Sequence, residues 1–171
     1  IFFIGLFAGS FLNVLADRLT RGESVIKGRS YCEKCKKELA WFDLIPLFSF
    51  LRLRGKCRYC HTRLSLFHPI VEFVTGILFL ITALFILNGS KLLIPLIYYL
   101  FTVSSLIVIF FADLKYGVIP DKIVFSSILI SFFFLLFTFE AGLVTHLLSA
   151  LGACLFFLIL FLITKGRGMG F

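Results

Sequence analysis

The stretch LLIPLIYYLFTVSSLIVIFFADLKYGVIPDK, Leu92 to Lys122, carries no charge from Leu92 to Ala112 and then sets Asp113, Lys115, Asp121 and Lys122 around a glycine and a proline. At about 1.5 Å of rise per residue, the uncharged part is long enough to cross roughly 30 Å of hydrocarbon as a helix. Gly117 and Pro120 then break the run, and an oily segment resumes at Ile123. The pattern predicts two membrane helices joined by a tight polar turn at one surface.

Windows of the same kind lie at Ile1 to Ala16, Phe67 to Leu87, Ile123 to Phe139 and Gly142 to Thr164, so the sequence predicts five membrane helices. Composition agrees: 60% of residues are hydrophobic, 24 are Phe, and the mean hydropathy is +1.07, well beyond an ordinary soluble domain. The fold class is therefore an all-α polytopic membrane protein. No basic segment precedes the first window, and its small residues Gly5, Ala8, Gly9 and Ser10 lie inside the run, so it reads as a helix rather than a removed signal peptide. The chain opens on Ile1 and its only methionine is Met169, which leads us to expect a piece of a longer protein.

Charge sets the expected topology. Of 17 Lys and Arg residues, all but Lys91 fall in segments 17–66, 113–122 and 165–171. Positive residues accumulate on the cytoplasmic side of membrane proteins, which places those three segments there. The formal net charge of +8 is explained by topology and by contact with anionic lipid head groups, and nothing in it calls for nucleic acid.

The first of these loops contains CEKC at Cys32 to Cys35 and CRYC at Cys57 to Cys60. Each C-x-x-C knuckle can aim two sulfurs at one ion, and the pair matches the spacing of a four-thiolate zinc site. Two disulfides are the competing reading, which a reducing compartment disfavours. Four cysteines close the coordination sphere, so zinc held by Cys32, Cys35, Cys57 and Cys60 is structural. Lys34, Lys36, Lys37, Lys56 and Arg58 are expected to offset the negative charge of the centre. His61 is an alternative ligand that four thiolates make unnecessary, and Cys154 is expected as a small buried apolar residue. Between the knuckles, Trp41 to Gly55 is too apolar for a solvated loop, and is expected to rest on the membrane interface or the helix bundle with Arg52 and Arg54 reaching head groups.

An ionisable residue in or near hydrocarbon costs about 2.5–3.5 kcal/mol at mid-depth and less near an interface. Asp121 follows Pro120 at a helix start, where the dipole welcomes an anion. Asp113 lies at a helix C-terminus, where the dipole opposes one, so its placement calls for another reason: a pairing with Lys115, a plain loop carboxylate, or chemistry. Glu72 follows His68 and Pro69 in the second long helix, and Ser10 and Asn13 form a polar stripe on the first; these can line a shared cavity or simply bond helix to helix. His146 and Glu140 read as structural. Aspartic hydrolysis needs two carboxylates sharing a proton, so Asp113 alone is not sufficient for it.

The motifs GSFLNVLADRL at Gly9 to Leu19, the two knuckles, DLIPLFSFLRLRGKCRYC at Asp43 to Cys60, HPIVEFVTG at His68 to Gly76, DLKYGVIPD at Asp113 to Asp121 and KGRGMGF at Lys165 to Phe171 resemble, in that order, the bifunctional type IV prepilin peptidases, the A24 class of intramembrane aspartic proteases. The resemblance implies that Asp113 is catalytic and that its partner belongs to a G-x-G-D motif approached by Gly168 to Phe171. On that view residues 1–171 hold one half of the pair and do not cleave by themselves. It implies an inner-membrane enzyme of bacteria that removes the leader of prepilins and pseudopilins on the cytoplasmic side. It further implies N-methylation of the new N-terminus using S-adenosylmethionine, by the zinc-bearing N-terminal part. The expected division is residues 1–88 with the zinc module at 17–66, then a peptidase core over 92–171. Asp17 and Thr20 depart from the family pattern. The rival reading is a non-enzymatic zinc-containing membrane protein that docks a partner or assists assembly.

Overall fold

A computed structural model of the chain describes residues 1–25, 30–32, 34–89, 93–138 and 143–164. Expectations resting on Lys91, Glu140 and Lys165 to Phe171 lie outside the described residues. The described chain is helical: α1 (Phe2–Thr20), a short 3-10 turn (Trp41–Leu44), α2 (Phe48–Arg52), α3 (Phe67–Gly89), α4 (Leu93–Tyr116), α5 (Asp121–Thr138) and α6 (Leu143–Thr164). Among the described residues there is no strand, only two isolated antiparallel bridges.

Among the described residues four helices are long and apolar enough to cross a membrane, over Phe2–Thr20, Phe67–Asn88, Leu93–Tyr116 and Val144–Thr164. The chain is a multi-pass membrane protein. Five spans were expected; α5 forms where the fourth was placed, 18 residues long, and is not among those four, while α6 takes the place of the fifth. The window expected for α5 ran on to Phe139, which is outside the described residues.

Two compact units divide the chain, Ile1–Leu129 and Ile130–Phe171. In the first unit α1 packs on α3 and α4, and α3 on α4. The α1–α3 contact is made by small residues: a Cβ added to Gly5 would lie 2.7 Å from Gly76 Cα, and one added to Gly9 would lie 2.7 Å from Glu72 Cα. Gly5-Leu-Phe-Ala-Gly9 is the small-xxx-small spacing that lets helix backbones meet in hydrocarbon, where apolar burial between helices gives little drive. Leu12, Ala16, Val71, Ile107, Val108, Phe111 and Ala112 form the core beside that contact.

The second unit contains the end of α5 and all of α6. Cys154 is exposed on α6, contrary to the burial expected for it. A helix apolar all round is suited to contact with hydrocarbon along its length, so a small thiol there needs no protein cover.

Candidate functional site

The two knuckles fold as copies of one another. Cys32 N–H donates to Lys37 O at 2.9 Å and Lys36 N–H to Cys32 O at 2.8 Å; in the second knuckle Cys57 N–H donates to Thr62 O at 2.8 Å and His61 N–H to Cys57 O at 3.0 Å. Both put a non-glycine residue at positive φ just after the second cysteine, Lys36 at 57° and His61 at 54°. Their four sulfurs converge within 4.8 Å of one another, and none is in a disulfide. Zinc–thiolate bonds of about 2.3 Å imply sulfurs about 3.8 Å apart in a tetrahedron. Cys32 Sγ and Cys60 Sγ are 3.9 Å apart. The donor set therefore fits zinc.

Hydrogen bonding distinguishes the sulfurs without metal. The Cys35 amide holds the Cys32 thiol below its ordinary value. The Thr62 hydroxyl, whose oxygen lies 3.3 Å from Cys60 Sγ, and the Thr62 amide push Cys60 down to about 6. For Cys35 the Lys37 amide favours the thiolate, but desolvation and the three neighbouring sulfurs outweigh it and push this thiol up to about 11.

Arg58 Nη2 meets Asp43 Oδ1 at 2.7 Å, and its guanidinium lies 4.3 Å from the Phe42 ring centre. Asp43 Oδ2 accepts from Ala40 N–H at 3.3 Å. The second knuckle is thus pinned to the 3-10 turn that leads to α2. Leu47, between them, sits at φ 57° as the centre of a γ-turn closed by Phe48 N–H and Pro46 O, a conformation L residues seldom adopt. In that conformation its N–H reaches Glu72 Oε2 of α3 at 2.8 Å.

A cleft of about 380 Å³ lies between the knuckle loop and the ends of α1 and α3, lined among others by Ser10, Asn13, Asp17, Arg18, Arg58 and Glu72. Glu72 is a carboxylate buried in a membrane helix, and Ser10 also bonds to it. Asn13 Nδ2 donates to His68 O at 3.2 Å. The polar stripe of α1 and Glu72 therefore line one cavity and also bond helix to helix, so both arrangements the sequence left open occur together.

Asp113 is not in its lining. It is exposed in the last turn of α4, next to Ala112, which is fully buried; that burial fixes the rotation of the helix and turns Asp113 outward. Gly117, at φ 65°, ends the helix by donating its N–H to Asp113 O at 2.8 Å. Pro120 and Asp121 then start α5, and Asp121 takes its first position. Lys115 does not pair with Asp113: its Nζ is 2.8 Å from Asp17 Oδ1, and the Tyr116 hydroxyl donates to the same oxygen at 2.9 Å. Residues two apart on a helix face different ways, which sends Lys115 toward α1. Sequence reading passed over Asp17 as a departure from pattern; its signal was an opposite charge at the same membrane edge as Lys115.

The model of the Bacterial Peptidase A24 N-terminal domain matches residues 3–86, and that of the Type IV leader peptidase family matches residues 100–171. A prepilin leader peptidase/N-methyltransferase of Bacillus subtilis is 34% identical over 178 residues, covering 99% of this chain and 66% of the relative. Proteins of the same name from Myxococcus xanthus and Klebsiella pneumoniae are 39% and 33% identical, over 70% and 71% of this chain and 35% and 54% of theirs. The chain spans about a third to two thirds of the length of these relatives. No solved structure matches it.

Proposed function

The chain belongs to the type IV leader peptidase family, and from that premise we propose that it serves as a membrane aspartic endopeptidase removing prepilin or pseudopilin leaders at the cytoplasmic face of a bacterial inner membrane. The observation that carries this reading is Asp113, exposed at the rim of a membrane helix whose dipole disfavours an anion there. In the mechanism, one ionised carboxylate draws a proton from water as the oxygen adds to the scissile carbonyl, and a protonated carboxyl gives its proton to the carbonyl oxygen. The resulting diol then collapses: the carboxyl that took the water proton gives it to the leaving nitrogen as the C–N bond breaks, and the other carboxylate takes a diol proton back. Closeness of like charges keeps one of the two protonated. Asp113 is one member; the resemblance puts the other beyond Phe171. A prepilin is itself an apolar helix, so it reaches Asp113 laterally while its basic leader stays at the charged surface.

We assign N-methylation of the new N-terminus to the N-terminal region, residues 1–88, and leader cleavage to the core that begins at residue 92. The cleft suits a small cationic methyl donor: its volume is within the roughly 300–1,000 Å³ of small-molecule pockets, Glu72 and Asp17 present carboxyl oxygens to it, and Arg18 lies in its lining to meet a carboxylate. S-adenosylmethionine, when bound, supplies an electrophilic methyl group on a sulfonium. Cys32, Cys35, Cys57 and Cys60 would hold zinc in a structural role, and the knuckle so closed would brace the wall of the cleft through Arg58 and Asp43. The positive charge of the loops supports a cytoplasmic position for the cleft.

The test uses full-length protein with two variants. Asp113→Asn should abolish leader cleavage yet still methylate a pilin supplied already cut; Glu72→Gln should lower methylation and leave cleavage in place. Loss of both activities from either variant, with zinc retained, would contradict the division.

A further inference from the structure

We propose that α2 is an anionic-phospholipid anchor that holds the outer wall of the cleft in the cytoplasmic leaflet. The helix is only five residues long, but its two faces differ. Phe50 turns inward, where a Cβ on Gly55 would lie 2.9 Å from its ring, and Ser49, Phe50 and Leu53 line the cleft. Phe48 and Leu51, three apart and so on one face, are 56% and 73% exposed. Arg52 and Arg54 follow at once, both exposed.

The depth of this face is set by a bond. Leu47, the residue before α2, donates to Glu72, and Glu72 lies five residues into the span that begins at Phe67. At about 1.5 Å per residue the Glu72 backbone lies roughly 7 Å inside the end of that helix, and its side chain leans back toward Phe67, so the start of α2 is held at or just outside that level. That is the depth, about 5–10 Å, at which interfacial helices bury their apolar face at the boundary of head group and acyl chain. Ile70 and Phe73, two residues before and one after Glu72 on α3, are exposed apolar residues at the same level of that helix. Arginines placed just behind the apolar pair can rise to phosphate while their stems stay in hydrocarbon. Charge and depth together select an anionic phospholipid as the occupant.

The experiment places the photoreactive residue p-benzoyl-L-phenylalanine at Leu51 in full-length protein, in nanodiscs of equal parts phosphatidylglycerol and phosphatidylcholine. Zinc content is measured to show that the module is folded. Irradiation should give protein–lipid adducts, with phosphatidylglycerol in excess by about fivefold for an arginine engaged at the surface. Arg52→Gln with Arg54→Gln should bring that ratio close to one. If the substitution at Leu51 costs the protein its zinc, Phe48 takes the probe instead. A folded protein that gives no lipid adduct, or adducts in the proportion of the bulk lipids, overturns the proposal.

Discussion

Lys115 of α4 and Asp17 of α1 meet at 2.8 Å at the membrane edge, and Tyr116 donates to the same carboxylate oxygen at 2.9 Å. The two side chains are partly exposed, so the pair is screened and contributes about 1 kcal/mol together with the tyrosine bond. Asp17→Asn should therefore destabilise the protein by about that amount in denaturant unfolding from micelles, while leaving leader cleavage by the full-length enzyme near its normal rate. A large loss of cleavage at unchanged stability would show that this contact does more than fasten α1 to α4.

Helix contact through Gly5 and Gly9 predicts a steeper effect. Valine at either position must push backbone, because the nearest atoms are Cα atoms of α3 at 2.7 Å. Overpacking of this kind costs about 1–3 kcal/mol or more. Gly152→Ala on α6 meets nothing within 4 Å and serves as the control, expected to be neutral or slightly stabilising.

Four thiolates, and not His61, should hold the metal. Cys60→Ser is expected to lower zinc below one ion per chain by metal analysis, whereas His61→Gly should retain it. Because His61 sits at φ 54°, glycine there also relieves a conformation that costs an L residue about 1–2 kcal/mol, so the variant should resist chelator slightly longer. Zinc loss on His61→Gly would make the histidine a ligand.

Without metal the sulfurs should separate by pH. Cys60 is depressed to about 6 from 9.0, so the stability its thiolate gives is complete above about pH 9 and is lost as pH falls toward 6. Cys35 is raised to about 11, so the stability of its neutral thiol is present below pH 9 and is lost as pH rises through 11. Iodoacetamide at pH 7 on chelator-treated protein should alkylate Cys60 well ahead of Cys35, read by peptide mass; the reverse order would contradict the assignment.

Helices and knuckles were legible because each is a local pattern. Uncharged runs mark α1, α3, α4 and α6, and the fixed C-x-x-C spacing brings Cys32, Cys35, Cys57 and Cys60 together without reference to the rest of the chain. Asp113 could be singled out because a carboxylate at a helix C-terminus breaks a local rule. What the sequence did not disclose are contacts that span elements. Arg58 with Asp43, Lys115 with Asp17 and Leu47 with Glu72 each join residues far apart in sequence whose meeting depends on a backbone conformation elsewhere, most plainly the γ-turn at Leu47.

The central claim is that Asp113 reacts with the peptide bond, and leader removal by full-length Asp113→Asn protein in membranes tests it most directly. With zinc at one ion per chain to show an intact fold, the proposal predicts a cleavage rate lower by at least about a hundredfold, the scale of a lost acid–base group. Cleavage at the unsubstituted rate would contradict it.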